Sequence, residues 1–465
     1  MSFILGEHLT FKNKTIEWDP DSCQTQNPHL LICGASGSGK TTLLRNILNY
    51  LKQSGKNVHV IDFHGDLSIS GERCFEFTAR NQDASFGINP FEFERDEKNG
   101  GPNVNSDIIV SIFQKCFIPN MGALQKALLT QLIRDTYRVV GILDEDPSTW
   151  NIKPPSVEIF YQFFLEIKDS LTNPFYKPFR TLFYDLQKAM IESKSVEFPT
   201  LYSAGDKALE EERRWAPFDS LSMEEHKKLE KSLLAIKEKF LRLCDFCWTG
   251  ENGAEFDILQ RGFKIDDYDS PQKIKALESL DSYIKSLAES SLFSFNAPNP
   301  TRGVNRYNIA GFTNAAKPHL ALFFADIMIQ KIFRANKARG EYRLLPNAMG
   351  KVDTFIVIDE SKLVMPTGKE KENPFNIFNR IVTEIRKFGV GLIIVSQRID
   401  HFNDEILGAV YTKIFLRVDP NDMATTMKKA GIKKEDILKS ISNFGVAVIT
   451  QGQTQTQVKL KQFTN

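Results

Sequence analysis

Residues 29 to 48 read HLLICGASGSGKTTLLRNIL. HLLICG, 29 to 34, is an apolar run of strand length. GASGSGK, 34 to 40, is a Gly/Ser-rich turn. TTLLRNILNYLKQ, 41 to 53, has helical periodicity and is closed by Ser54-Gly55. Gly34-x-x-x-x-Gly39-Lys40-Thr41 fits the pattern of a phosphate-binding loop. Its glycines let consecutive backbone N–H groups turn toward phosphate oxygens, and the following helix aims its amide end at the same charge. Nucleotide binding is therefore assigned to Gly34, Ala35, Ser36, Gly37, Ser38, Gly39, Lys40, Thr41 and Thr42. Lys40 is placed for the β and γ phosphates of ATP and the Thr41 hydroxyl for Mg2+, while Thr42 packs or supports.

Working outward, NVHVIDFHGD, 57 to 66, is a second strand that completes a βαβ unit and implies a parallel sheet. The α/β pattern returns far downstream. NRYNIAGF (305 to 312), Thr354 to Asp359, VGLIIVSQ (390 to 397), TKIFLRV (412 to 418) and NFGVAVIT (443 to 450) are strands. HLALFFADIMIQKIFRA, 319 to 335, is an apolar helix; a helix follows Pro374 over about 376 to 387, and 421 to 441 is helical. In FIVIDE, 355 to 360, four apolar residues suit a strand buried on both faces. Asp359 and Glu360 then fall at its C-terminal end, where α/β proteins bind ligands. Asp359 would orient Mg2+, and Glu360 would polarise the attacking water in hydrolysis. Asp62-x-His64-Gly65-Asp66 offers another polar strand tip, although a Gly-containing turn explains it equally well.

Between these blocks, 94 to 107 is charged and Gly/Asn-rich and reads as a surface loop. Helical patterns run from about 107 to 142, with a break near Pro119-Asn120. Residues 157 to 290 look mostly helical: 157 to 170 has an apolar face, Ser222 to Glu225 fits a capping box, and Ser270-Pro271 marks a helix start. The expected fold is an α/β P-loop NTPase core of the RecA-like, additional-strand kind with a mostly helical inserted domain. Its divisions are a short polar N-terminal segment (1 to 29), the first part of the core (30 to 140), a helical insertion (141 to 300), the second part of the core (301 to 450) and a tail (451 to 465) that forms an edge hairpin arm.

At 465 residues, one ATPase core plus an inserted module is the natural expectation. The net charge of +1 leaves nucleic acid undecided, because a ring can confine its basic groups to a few channel loops. No stretch approaches 18 apolar residues and no secretory leader is seen, so a cytoplasmic protein without membrane insertion is expected. Cys244-x-x-Cys247 lacks two further zinc ligands and reads as ordinary helix-end cysteines. Lys428, Lys429, Lys433 and Lys434 read as a solvated helix face.

Four stretches together resemble the HerA/FtsK superfamily of ring ATPases, above all HerA-type helicases and the coupling ATPases of conjugation and type IV secretion. They are GASGSGKTTLLRNIL at 34 to 48, VIDFHGD at 60 to 66, INPF at 88 to 91, and VIDE at 357 to 360 followed by RIVTEIRKFGVGLIIVSQR at 380 to 398. The resemblance implies a homohexameric ring that uses Mg-ATP to move double-stranded DNA, or in some members protein, through a channel. By the same resemblance Arg386 matches an arginine finger that reaches a neighbouring subunit's γ phosphate, and Gln397 matches a sensor. Lys40, Glu360, Arg386 and Gln397 are thus the expected catalytic set, with Thr41 and Asp359 on the metal. The chain departs from the family in lacking membrane helices and the long N-terminal β-barrel region of HerA. That leaves a secretion or conjugation partner, or a nuclease in a processing or defence complex, as alternatives.

Overall fold

The computed structural model describes residues 2–11, 13–21, 27–77, 87–172, 265–268, 270–290, 302–314, 317–341, 352–365, 382–433 and 443–461, with a few single residues besides. The Ser222 capping box and Cys244 and Cys247 lie outside them. By internal contacts the chain divides into two compact units, Met1–Ile88 with Ser290–Asn465, and Asn89–Glu289.

The first unit is built on one sheet. Its strands are β1 (Phe3–His8), β2 (Thr15–Trp18), β3 (Leu30–Cys33), β4 (Asn57–Asp62), β5 (Arg73–Glu76), β6 (Val304–Asn308), β7 (Thr354–Ile358), β8 (Val390–Ser396), β9 (Thr412–Phe415), β10 (Val446–Gln451) and β11 (Thr454–Leu460). Their order is β2-β1-β11-β10-β9-β3-β8-β7-β4-β6-β5. From β9 to β5 every neighbouring pair is parallel, and from β9 outward to β2 every pair is antiparallel. The parallel strands β3, β7 and β8 are buried along their whole length. That is why they are continuous apolar runs in sequence rather than alternating ones.

Helix α1 (Lys40–Gln53) covers one face with Leu43, Leu44, Ile47, Leu48 and Leu51, all buried. They join one cluster with Leu30, Ile32, Val58, Val60, Phe355, Val357, Ile393 and Val395. At about 1.5–3 kcal/mol for each large apolar side chain, this one contact outweighs any helix propensity. The helix Pro318–Lys337 serves the opposite face, where Phe324 meets Phe77 edge-on at 4.7 Å between ring centroids and Tyr307 at 6.5 Å.

Several expectations change. Residues 1 to 29 do not merely precede the core: β1 pairs with β11, and Leu5 and Trp18 are buried in it. The tail is a hairpin arm, but β11 lies between β10 and β1 rather than at an edge. The strand expected over 305 to 312 ends at Asn308, and a short helix, Ala310–Asn314, follows. Of the helix expected over 421 to 441, Met423–Ala430 is helical and closed by Gly431 at φ 65°, and residues 434–435 and 437–441 lie outside the described residues. Of the helix after Pro374 only its end is described, finishing in the 3-10 turn Ile385–Phe388.

In the second unit, α2 (Pro102–Phe117), α3 (Ala123–Val139), α4 (Val157–Thr172) and α5 (Pro271–Ala288) are helices. The stretch read as a loop to 107 becomes helix at Pro102, the favoured first position, and Asn105 and Ser106 are buried inward-facing residues rather than loop tips. Ser270 caps α5 by accepting a hydrogen bond from the Lys273 amide. The unit also takes in the helices over 102 to 139, which the sequence places with the first part of the core.

Candidate active site

The turn from β3 into α1 needs its glycines. Gly37 and Gly39 have φ of 70° and 94°, in the left-handed region, and Gly39 caps α1. Gly34 is needed for space: a Cβ there would sit 2.7 Å from Ser38 Oγ and 2.9 Å from Leu416 Cβ. The loop is tied to both neighbouring strands. The Gly34 amide donates to the carbonyl of Ser396, the last residue of β8, and the Ala35 amide to Arg417 O after β9. Lys40 Nζ donates to the carbonyls of Gly34 at 2.8 Å and Ala35 at 3.0 Å. It therefore lies along the inside of the loop. Burial pulls its pKa down, and the charges of Glu360 and Asp359 oppose that pull. Thr41 is half-buried at the mouth of the helix and Thr42 is exposed.

The acidic side comes from strands two and three places away. Sheet order puts β8 between β3 and β7, with β4 beyond. Asp359 and Glu360 follow β7, and both are largely buried. Glu360 adopts a left-handed conformation at φ 54°, rare for a non-glycine residue and found where surrounding structure over-determines the backbone. Ser361 anchors that bend by donating to Val395 O at 2.7 Å. Gln397, at the end of β8, donates to Glu360 Oε2 at 3.3 Å. His64 Nε2 lies 3.7 Å from the same oxygen, and Lys362 Nζ lies 3.2 Å from Glu360 Oε1.

Carboxylate oxygens of Asp62, Asp66 and Asp359 lie within 4.8 Å of one another. Burial first, and then the Asp66 charge, push the Asp359 carboxyl up to about 6. Oxygen donors of this kind, one of them buried and raised by its neighbour, suit a hard divalent cation. Asp62 is already engaged, since it accepts from the backbone amides of His64, Gly65 and Leu67 and from Arg306. Asp359 and Asp66 are the members that fit the ion.

Arg386 is not brought to this cluster. It sits in the turn before β8, whereas Gln397 sits after it; a seven-residue strand spans roughly 23 Å. Close to Arg386 lies His29, before β3. Arg417 is a loop-contacting residue that the sequence alone does not mark. Its guanidinium donates to Ser36 O at 2.9 Å, on the phosphate loop itself. The only sequence signal is an arginine ending an apolar strand; that β9 adjoins β3 is not visible there.

A strand, a glycine turn capping a helix, and an acidic strand tip one strand removed define a P-loop NTPase fold. Residues 5–97 match the family model described as Helicase HerA, central domain. The DNA double-strand break repair helicase HerA of Pyrococcus furiosus is 37% identical over 91 residues, 19% of this chain and 16% of that protein. The protein of the same name from Sulfolobus acidocaldarius is 41% identical over 73 residues, 15% of each. The chain thus matches less than a fifth of the length of either relative. VirB4 of Thermoanaerobacter pseudethanolicus shares the fold at a TM-score of 0.60 and 12% identity, over 99% of this chain and 96% of that one. These matches bear out the resemblance to the HerA/FtsK superfamily. Among the described residues no helix is long and apolar enough to cross a membrane.

Proposed function

We propose that this chain is a Mg-ATP-dependent motor of the HerA/FtsK kind, hydrolysing ATP at the subunit interfaces of a homohexamer and moving double-stranded DNA. The observation that carries the reading is the meeting of Glu360 with Gln397 beside a phosphate loop whose lysine points inward. Lys40 exchanges its hold on the Gly34 and Ala35 carbonyls for phosphate oxygens. Arg417 keeps the loop tip in place through Ser36. Glu360, gripped by Gln397, orients a water for attack and takes its proton. Thr41 and Asp359, with Asp66 beside them, would hold Mg2+, which when bound neutralises charge on the phosphates. Arg386, far from its own chain's Glu360, serves a neighbour's site. The helical unit Asn89–Glu289 is an accessory domain of this motor, and cytoplasmic DNA is its substrate.

The test is turnover with and without long duplex DNA, together with native mass. A hexamer stimulated by DNA is expected. A monomer indifferent to DNA overturns the reading, and stimulation by a partner protein alone replaces it with a secretion or conjugation ATPase. Substituting Glu360→Gln should slow phosphate release about 100-fold or more while nucleotide still binds, because the attacking water loses its base.

A further inference from the structure

Arg306 lies on β6, about 240 residues from the turn it holds in the sequence and two strands from β7 in the sheet. Its side chain is 8% exposed and makes two ion pairs. Nη1 donates to Asp62 Oδ2 at 3.0 Å, and Nε donates to Glu72 Oε1 at 2.8 Å. Both acids in turn hold backbone. Asp62 Oδ1 accepts from the His64 amide at 3.1 Å and the Gly65 amide at 2.7 Å, and Oδ2 accepts from the Leu67 amide at 3.2 Å. Glu72 accepts from the Ile69 amide at 3.0 Å. One guanidinium therefore pins both ends of the turn between β4 and β5. Gly65, at φ 79°, makes the bend, with Asn308 of β6 packed against it.

That turn carries the two side chains that face the acidic strand tip from outside β7. Asp66 approaches Asp359, and His64 approaches Glu360. Two carboxylates brought this close repel each other, so a loosely held turn would swing Asp66 away from Asp359. The fork geometry of arginine suits a residue that must satisfy two acids at fixed angles, and lysine at the same place reaches only one of them well.

We propose that Arg306 is a positioning residue for the cation side of the nucleotide site. Through Asp62 and Glu72 it fixes the 62–69 turn, and so sets where Asp66 and His64 stand relative to Asp359 and Glu360. The proposal rests on the Mg-ATP reading above for its consequence, though not for its geometry.

The experiment uses the full-length protein and Arg306→Lys, with Asp62→Asn as a second variant. Arg306→Ala is avoided because two buried acids would lose their counter-charge. Amide exchange over residues 62–69 is measured alongside α1, and nucleotide binding is titrated with a fluorescent ATP analogue in EDTA and across Mg2+ concentrations. Both variants should exchange about tenfold faster in the turn with α1 unchanged. Binding in EDTA should stay within about twofold, while the Mg2+ concentration for half effect should rise about tenfold, the usual scale for removing a group that orients a ligand. Unchanged exchange in the turn overturns the proposal. Faster exchange throughout the unit also overturns it, since that marks a merely structural arginine. A turn that loosens with no change in Mg2+ dependence does so as well. If the unaltered protein shows no Mg2+-dependent binding, the functional reading fails, and the exchange data still decide whether Arg306 orders the turn.

Discussion

Gly34 shows how little freedom a single position in the phosphate loop retains. Gly34→Ala would press its new methyl against Ser38 Oγ and Leu416 Cβ, and the loop would have to move away from β9. Nucleotide affinity should fall about tenfold or more, as overpacking of 1–3 kcal/mol is transferred to the bound geometry; equilibrium binding of a fluorescent nucleotide would reveal it. Two buried histidines carry a different prediction. His29 accepts from the Leu392 amide through Nδ1 at 3.0 Å and faces Val382 O through Nε2 at 3.2 Å, so it is held neutral between β3 and β8. His59 lies against the Tyr307 hydroxyl at 3.0 Å. Burial pulls each down to about 4. In the unfolded chain each takes up a proton near 6.5, whereas in the folded chain neither does until about 4. Their contribution is therefore complete above pH 6.5 and is lost as pH falls toward 4, at about 1.4 kcal/mol per pH unit for each. The raised Asp359 carboxyl works in the opposite direction between its usual value and about 6, so the clean readout is a difference. Denaturant titrations at pH 7, 5.5 and 4.5 should show a shallower pH slope in His59→Gln than in the unaltered protein; equal slopes would mean that His59 is already charged in the fold.

At the scale of elements, β7 and β8 decide the site, because the tips of both strands meet at Glu360. Their pairing runs from Thr354 opposite Val390 to Ile358 opposite Ile394. Gly391 stands opposite Phe355 in that register, and a Cβ on it would lie 2.3 Å from the Phe355 ring. The ring occupies the place a side chain would take, wedged edge-on against Trp18 at 5.8 Å between centroids. Gly391→Ala should cost about 1–3 kcal/mol, and Phe355→Leu in the same chain should recover part of the loss. Thermal unfolding of the single and double variants measures both. Additive losses would mean that the ring and the glycine do not constrain each other.

At the scale of the whole molecule, Glu360 follows the C-terminal end of β7, whereas Arg386 precedes the N-terminal end of its parallel neighbour β8. If each site takes its arginine from a neighbour, Arg386→Ala and Glu360→Gln should each be inactive alone, yet active in mixed rings. An interface made from the glutamate of one variant and the arginine of the other is intact, so random equimolar mixing should restore roughly a quarter of full turnover. Mixtures no more active than the separate variants would place the arginine's role within its own subunit.

The phosphate loop, the acidic strand tip and the parallel strands were all legible in the residues. A glycine turn declares its chemistry locally, and a strand buried on both faces is apolar throughout. Gln397 and Arg386 were legible only through resemblance to a family. Asp66 was visible as one half of an undecided turn, and Arg306 and Arg417 were not visible as site residues at all. The difference has a physical cause. Periodicity says which face of a strand is buried and says nothing about which strand lies beside it. Only the order β3-β8-β7-β4-β6 brings Gln397 onto Glu360 and an arginine from β6 onto the turn after β4. The N-terminal hairpin makes the same point, because its strand β1 joins the sheet by pairing with β11, more than 440 residues later in the chain, and Thr15–Trp18 joins it by pairing with β1. Local residue chemistry determined what this site can bind; the hydrogen-bond register between distant strands decided which side chains surround it.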